Sequence, residues 1–158
     1  MTKKYELTDE YVIHGTRKLF RIVALKSFEG VSAGDLGGYI EKEENLSQSD
    51  NAWVYGNARV FDSARVFDSA WVYGNAWVFD SAWVYGNAWV SKDTINIIGL
   101  DYNVTISDNF MAIGCQNHSL EDWASFDDRR ILEMDGKAAL KFWRKHGQYL
   151  LSLRKTEE

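Results

Sequence analysis

Proline is absent from the 158-residue sequence, cysteine occurs once and histidine three times. The lone thiol, Cys115, leaves no internal disulfide and no cysteine-based zinc cluster within one subunit. The histidines, His14, His118 and His146, are scattered along the chain. The clustered ligands of a histidine zinc centre are therefore missing, and no metal or other cofactor is expected. No stretch approaches the length of a membrane-spanning apolar run, and the N-terminal segment lacks the apolar block of a secretory leader. A cytoplasmic protein without membrane contact is expected. An excess of positive charge is lacking as well. Eighteen Lys and Arg against 23 Asp and Glu give a net charge of −5, which argues against broad nucleic-acid binding, since that needs a basic face.

Hydrophobic residues at 46% and charged residues at 26% exclude disorder of the whole chain. The length suits one domain with a small appendage. Aromatic residues reach 15% of the chain, enough to need an explanation.

From Asn51 to Lys92 seven units repeat every six residues as (Asn/Ser)-Ala-(Trp/Arg)-Val-(Tyr/Phe)-(Gly/Asp), the last ending Ser91-Lys92. Within each unit Ala-x-Val alternates as a strand does, placing alanine and valine on one face and Trp or Arg with Tyr or Phe on the other. The Gly-Asn and Asp-Ser pairs are turn residues that tolerate left-handed backbone. A six-residue period does not hold one face of a helix. Short strands turning the same way generate a coil, and stacked coils pair their backbone groups. The pattern is expected to continue in degraded form through Ile98-x-Leu100, Val104-x-Ile106 and Phe110-x-Ala112, adding one coil. Upstream, Ile40 and Leu46 align by spacing with the alanine column.

The words Val54-Tyr55-Gly56-Asn57-Ala58-Arg59 resemble the hexapeptide-repeat family, in which an aliphatic residue is followed four positions later by a small one. That resemblance implies a mainly β fold, a left-handed parallel β-helix with three hexads per coil. With the flanks it gives three regions: an N-terminal β-hairpin cap at 1–38, the β-helix at 39–114 and a C-terminal helical segment at 115–158. Residues 3–25 read as strands around a His14-Gly15-Thr16 turn. Ser119 with Asp122 reads as a helix cap, with further helix from Asp127 broken near Asp135-Gly136 and again at Gly147. The Gly34-Asp35-Leu36-Gly37-Gly38-Tyr39, Asn45-Leu46-Ser47 and Ile113-Gly114-Cys115 words are similar to those of uncharacterised bacteriophage and prophage hexapeptide-repeat proteins. This likeness implies a bacterial host cytoplasm and an accessory role in infection, with the countering of bacterial defence as the expected form of that role.

Three hexads per coil put Trp53, Trp71 and Trp89 in one outward column, Arg59 below Trp77 in a second and Arg65 below Trp83 in a third. So many outward rings exceed what a soluble monomer exposes, so a homotrimer is expected, with Trp53, Trp71 and Trp89 as the interface column. Arg59, Arg65, Trp77 and Trp83 are the candidate ligand residues, stacking a nucleotide-like molecule and meeting its phosphate, with a host protein as the other partner. No catalytic residue is assigned. The competing classes are an acyltransferase of the hexapeptide type, which would need a histidine base, and a purely structural assembly protein. Cys115 and His118, three residues apart, admit a nucleophile with a base; a buried cysteine at a coil end is the simpler expectation. Ice binding is disfavoured because residues 51–92 hold no threonine, and a DNA mimic because their charges balance.

Overall fold

A computed structural model describes residues 3–92, 94–97 and 99–153. Strands β1 (Tyr5–His14) and β2 (Arg17–Ala24) form an antiparallel hairpin whose two-residue turn uses Gly15 at φ +65°. Strand β3 (Leu36–Ile40) adds antiparallel to β2. Each hexad then supplies one two-residue strand: β4 (Trp53–Val54), β5 (Arg59–Val60), β6 (Arg65–Val66), β7 (Trp71–Val72), β8 (Trp77–Val78), β9 (Trp83–Val84) and β10 (Trp89–Val90).

These strands pair in parallel with the strand three hexads away, Trp53 with Trp71 and Trp71 with Trp89. The chain therefore turns through three faces and stacks on itself. The first face is β4-β7-β10, the second β3-β5-β8 and the third β6-β9. Backbone bonding continues around the corners, as in Tyr55 N–H to Val72 O at 2.9 Å and Asn57 N–H to Gly74 O at 3.0 Å. All repeat alanines from Ala52 to Ala88 and valines from Val54 to Val90 are buried. Each buried valine contributes about 1.5–3 kcal/mol relative to exposure.

The corners explain the alternation of Gly with Asp. Gly56, Gly74 and Gly86 take φ of +64 to +69°, and Asp62, Asp68 and Asp80 adopt the same left-handed backbone at φ of +58 to +61°. Aspartate tolerates that region better than most side chains. Its carboxylate also caps the coil above, since Asp62 accepts from Asp80 N–H at 3.1 Å and Asp50 from Asp68 N–H at 2.6 Å.

The N-terminal region closes the first coil. Lys4, 1% exposed, donates to Ala52 O at 2.5 Å and Asp50 O at 3.0 Å, and the Tyr5 hydroxyl donates to Leu46 O at 2.6 Å. Gly37 is required here because a Cβ would lie 2.5 Å from Val54 O and 2.6 Å from Ile22. Asn45, in a 3-10 turn at Glu43–Asn45, donates to Ala64 O at 2.9 Å and accepts from Lys42 N–H at 2.9 Å. The spacing argument misplaced this coil. Ile40 pairs with Val60 and Leu46 with Val66, the valine column and not the alanine one. The chain between Leu46 and Val54 is longer than one hexad, and Gln48 in the extra length accepts from the backbone N–H of Lys4 and Tyr5.

Residues beyond Val90 do not make another coil. Strands β11 (Ile95–Ile97), β12 (Val104–Ile106), β13 (Phe110–Ile113) and β14 (Gln116–Ser119) form an antiparallel sheet in sequence order. Ile98, one anchor of the expected extra coil, lies outside the described residues. The short connections at Ser107–Asn109 and Gly114–Cys115 reverse the chain; Gly114 takes φ +56°. A parallel coil needs a corner instead. Helix α1 (Leu120–Ser125) starts on Ser119, whose hydroxyl accepts from Asp122 N–H at 3.0 Å. Helix α2 (Asp128–Ser152) kinks at Asp135 and Gly136 but runs through Gly147. Gly147 is not a breaker, because its missing Cβ leaves room for the Trp143 ring, 2.7 Å from where that atom would stand. The sheet and helices share a second core of Val104, Ile106, Met111, Trp123, Ile131 and Phe142.

Candidate functional site: the outward faces of the coils

Outside the coils the fifth hexad position forms ring ladders. Tyr55 stacks on Tyr73 at 5.6 Å, Phe61 on Phe79 at 5.6 Å and Phe67 on Tyr85 at 4.9 Å between centroids. Such pairs contribute about 0.5–1.5 kcal/mol beyond area burial. The third position, Arg at 59 and 65 and Trp in the other five hexads, varies much more in environment from face to face.

On the first face Trp53 is 2% exposed, packed edge-on by Tyr5 at 6.3 Å and Phe28 at 5.3 Å. Its own chain covers it, so of the expected interface column only Trp71 and Trp89 present ring surface. Trp89 is 57% exposed. A tight turn, Phe28 bonded to Val31 in both directions, carries Glu29 at φ +22° and Gly30 at φ +81° over the edge of this face. Below it runs an open groove of about 560 Å³ whose floor is Trp71 and Trp89. One wall is Tyr55 and Tyr73, the other Asn51, Ser69 and Asn87, with Glu29 at one end.

On the second face the hairpin tip folds down. The His14 ring lies 4.4 Å from Phe61 and 4.5 Å from Trp77, and its Nδ1 is 3.2 Å from Arg59 Nη1. The Arg59 guanidinium lies over the Trp77 ring at 5.6 Å. Arg59 and Trp77 therefore meet as expected from the spacing, but with His14 as a third member. Sequence reasoning missed His14, since its turn lies 45 residues from Arg59 and no local pattern links them.

On the third face Arg65 pairs in register with Trp83, and both are exposed. A groove of about 360 Å³ beside them includes Glu43, Glu44 and Gln48. A second one, of about 480 Å³, runs from Trp83 to Tyr102 and Cys115. The two Arg–Trp pairs occupy different faces, so the four candidate ligand residues do not form one site within a subunit.

Cys115 is exposed in the β13–β14 turn and not buried at a coil end. His118 is held elsewhere, 5.1 Å from Trp123 and 5.0 Å from Phe126, with Nε2 2.9 Å from Gln116 Oε1. Burial pushes its pKa down, with the Arg130 charge adding to the effect. Among the described residues no three His, Cys, Asp or Glu side chains converge as metal ligands would, and no helix is long and apolar enough to cross a membrane.

The comparisons with known proteins fall on the coils. Residues 52–68 and 70–86 match the family model described as YdcK Beta solenoid repeat. A stretch of 61 residues is 39% identical to a protein of Escherichia coli (strain K12) named Uncharacterized acetyltransferase YdcK. That stretch is 34% of this chain and 19% of the relative, so the chain spans about a fifth of the relative's length. In its parallel pairing and in these matches alike, this is a mainly β protein with some helix, built on coils similar to a β-solenoid repeat.

Proposed function

We propose that this protein is a non-catalytic binding protein, a homotrimer of left-handed β-helical subunits whose outward aromatic faces are its contact surfaces. The observation that carries the reading is the exposure of three tryptophans on successive faces of one coil. Trp77, Trp83 and Trp89 are 38, 47 and 57% exposed. Indole surface of that extent is unfavourable in water and marks contact sites.

The subunit contact is placed on the third face, at Trp83, because Trp53 of the first face is already covered by its own chain. A nucleotide-like ligand fits the same cleft between subunits, its base on Trp83 and its phosphate on the exposed guanidinium of Arg65. Arg59 is less suited, being engaged with His14 and Trp77. Neither the faces nor the relative supports a role against bacterial defence, which stays outside this reading.

Light scattering of the native protein should give three times the monomer mass, and Trp83→Ser should lower it. A monomeric parent protein would refute the assembly. Native mass spectrometry then reads any co-purifying ligand, which Arg65→Ala should release.

A second reading, an acetyltransferase, is favoured by the name of the Escherichia coli relative. Its base would be His14, the histidine that lies against a coil face. Release of CoA from acetyl-CoA by the wild type, lost in His14→Ala, would replace the binding reading with this one.

A further inference from the structure

We infer that the groove along the first face binds a neutral oligosaccharide. The proposal goes beyond the reading above and does not depend on the subunit contact at Trp83. Three observations lead to it.

The floor is aromatic. Trp71 and Trp89 follow one another up the stack, and the Tyr55 and Tyr73 rings of the wall stand 5.6 Å apart between centroids. That ring spacing is close to the length of one pyranose residue, so consecutive sugar rings meet consecutive aromatic rings. Pyranose C–H groups carry partial positive charge and pack on the electron-rich ring face, as other positive groups do.

The opposite wall consists of Asn51, Ser69 and Asn87. Amides and hydroxyls both donate and accept, which suits sugar hydroxyls that do the same. These side chains stand at equivalent positions of successive coils, so the polar wall repeats in step with the ring floor.

Among the described residues Glu29 is the one charged residue lining the groove. A carboxylate accepts two hydroxyl hydrogen bonds but repels phosphate and uronate. The groove thus selects against anionic ligands. Its volume of about 560 Å³ lies within the usual range for a small-molecule site.

Titration calorimetry of the full chain with maltotetraose, cellotetraose and N-acetylchitotetraose, and with ATP as the anionic control, tests this. At least one tetrasaccharide should bind saturably, and ATP should not displace it. Trp89→Ala should weaken that binding about tenfold, the loss of one stacking ring. Trp89→Tyr should restore most of it, and Glu29→Gln should weaken it less than Trp89→Ala. Trp77→Ala, on another face, should leave it unchanged. No saturable binding by any of the three saccharides up to millimolar concentration overturns the proposal, as does equal weakening by Trp77→Ala. Particle mass measured on the same samples separates the two ideas. A sugar-binding monomer refutes the trimer alone, and a trimer that binds no sugar refutes the groove alone.

Discussion

The Asp68 carboxylate accepts a hydrogen bond from the backbone N–H of Gly86, the corner residue one coil above it, at 3.1 Å. Asp68 itself holds left-handed backbone at φ +61°. Two effects are thereby separable. Asp68→Gly loses the bond, worth about 1 kcal/mol, while relaxing the backbone. Asp68→Ala loses the bond and keeps the left-handed strain of about 1–2 kcal/mol that glycine is spared. Urea unfolding should rank both the wild type and Asp68→Gly above Asp68→Ala. The reverse order for the two variants would show that the corner conformation carries no strain.

Val72 is buried at the centre of the first face, between Val54 and Val90. Val72→Asp would place an unpaired charge there and cost several kcal/mol, enough to abolish folding. Trp89→Ser, on the outer side of the same stack, should change the melting temperature far less. Circular dichroism and thermal melts read both, and a cooperative, soluble Val72→Asp protein would refute the inward register.

Burial pushes the Lys4 amine down to about 8 from its ordinary 10.5, despite the opposing pull of Asp50. Between those values the unfolded chain holds a proton that the folded chain has released, so stability rises with pH across that window. Burial moves the Tyr5 phenol up from 10.0, so above that pH the unfolded chain ionises first and stability falls again. The melting temperature should therefore climb from about pH 8 and turn over near pH 10. Lys4→Met should abolish the climb. An unchanged profile in that variant would place the titration elsewhere.

Arg59 and Arg65 occupy equivalent repeat positions in different surroundings. Arg59→Ala removes the contact to His14 and the guanidinium over Trp77, and should cost about 1 kcal/mol and loosen the hairpin tip. Arg65→Ala, exposed, should leave the melting temperature unchanged while altering assembly or ligand retention. Hydrogen exchange at His14–Arg17 distinguishes them.

The coil core was legible because alanine and valine recur at fixed spacing over 51–92, and a buried column tolerates little else. The Arg59–Trp77 and Arg65–Trp83 neighbours followed from that spacing together with the three hexads per coil that the family resemblance implies. Strand direction beyond Val90 was not legible. Val104-x-Ile106 and Phe110-x-Ala112 alternate as strands do in either sheet type, and the decision between coil and meander lies with the short turn at Ser107–Asn109. The cover over Trp53 and the placing of His14 on Arg59 join residues from distant parts of the chain. Neither leaves a periodic mark.

The corner ladder gives the molecule a phase. Among themselves the coils pair only with the coil above and the coil below, so the terminal sheet with its helices is carried by whatever coil comes last. Duplicating three hexads, such as residues 69–86, would lengthen the shaft and leave both ends facing as before. Adding or losing a single hexad would rotate the far end by one face, swinging α1 and α2 from one side of the shaft to the next. Because the hexads are nearly identical, slippage between them during copying is an accessible change, and only slips in multiples of three preserve the alignment of the two ends.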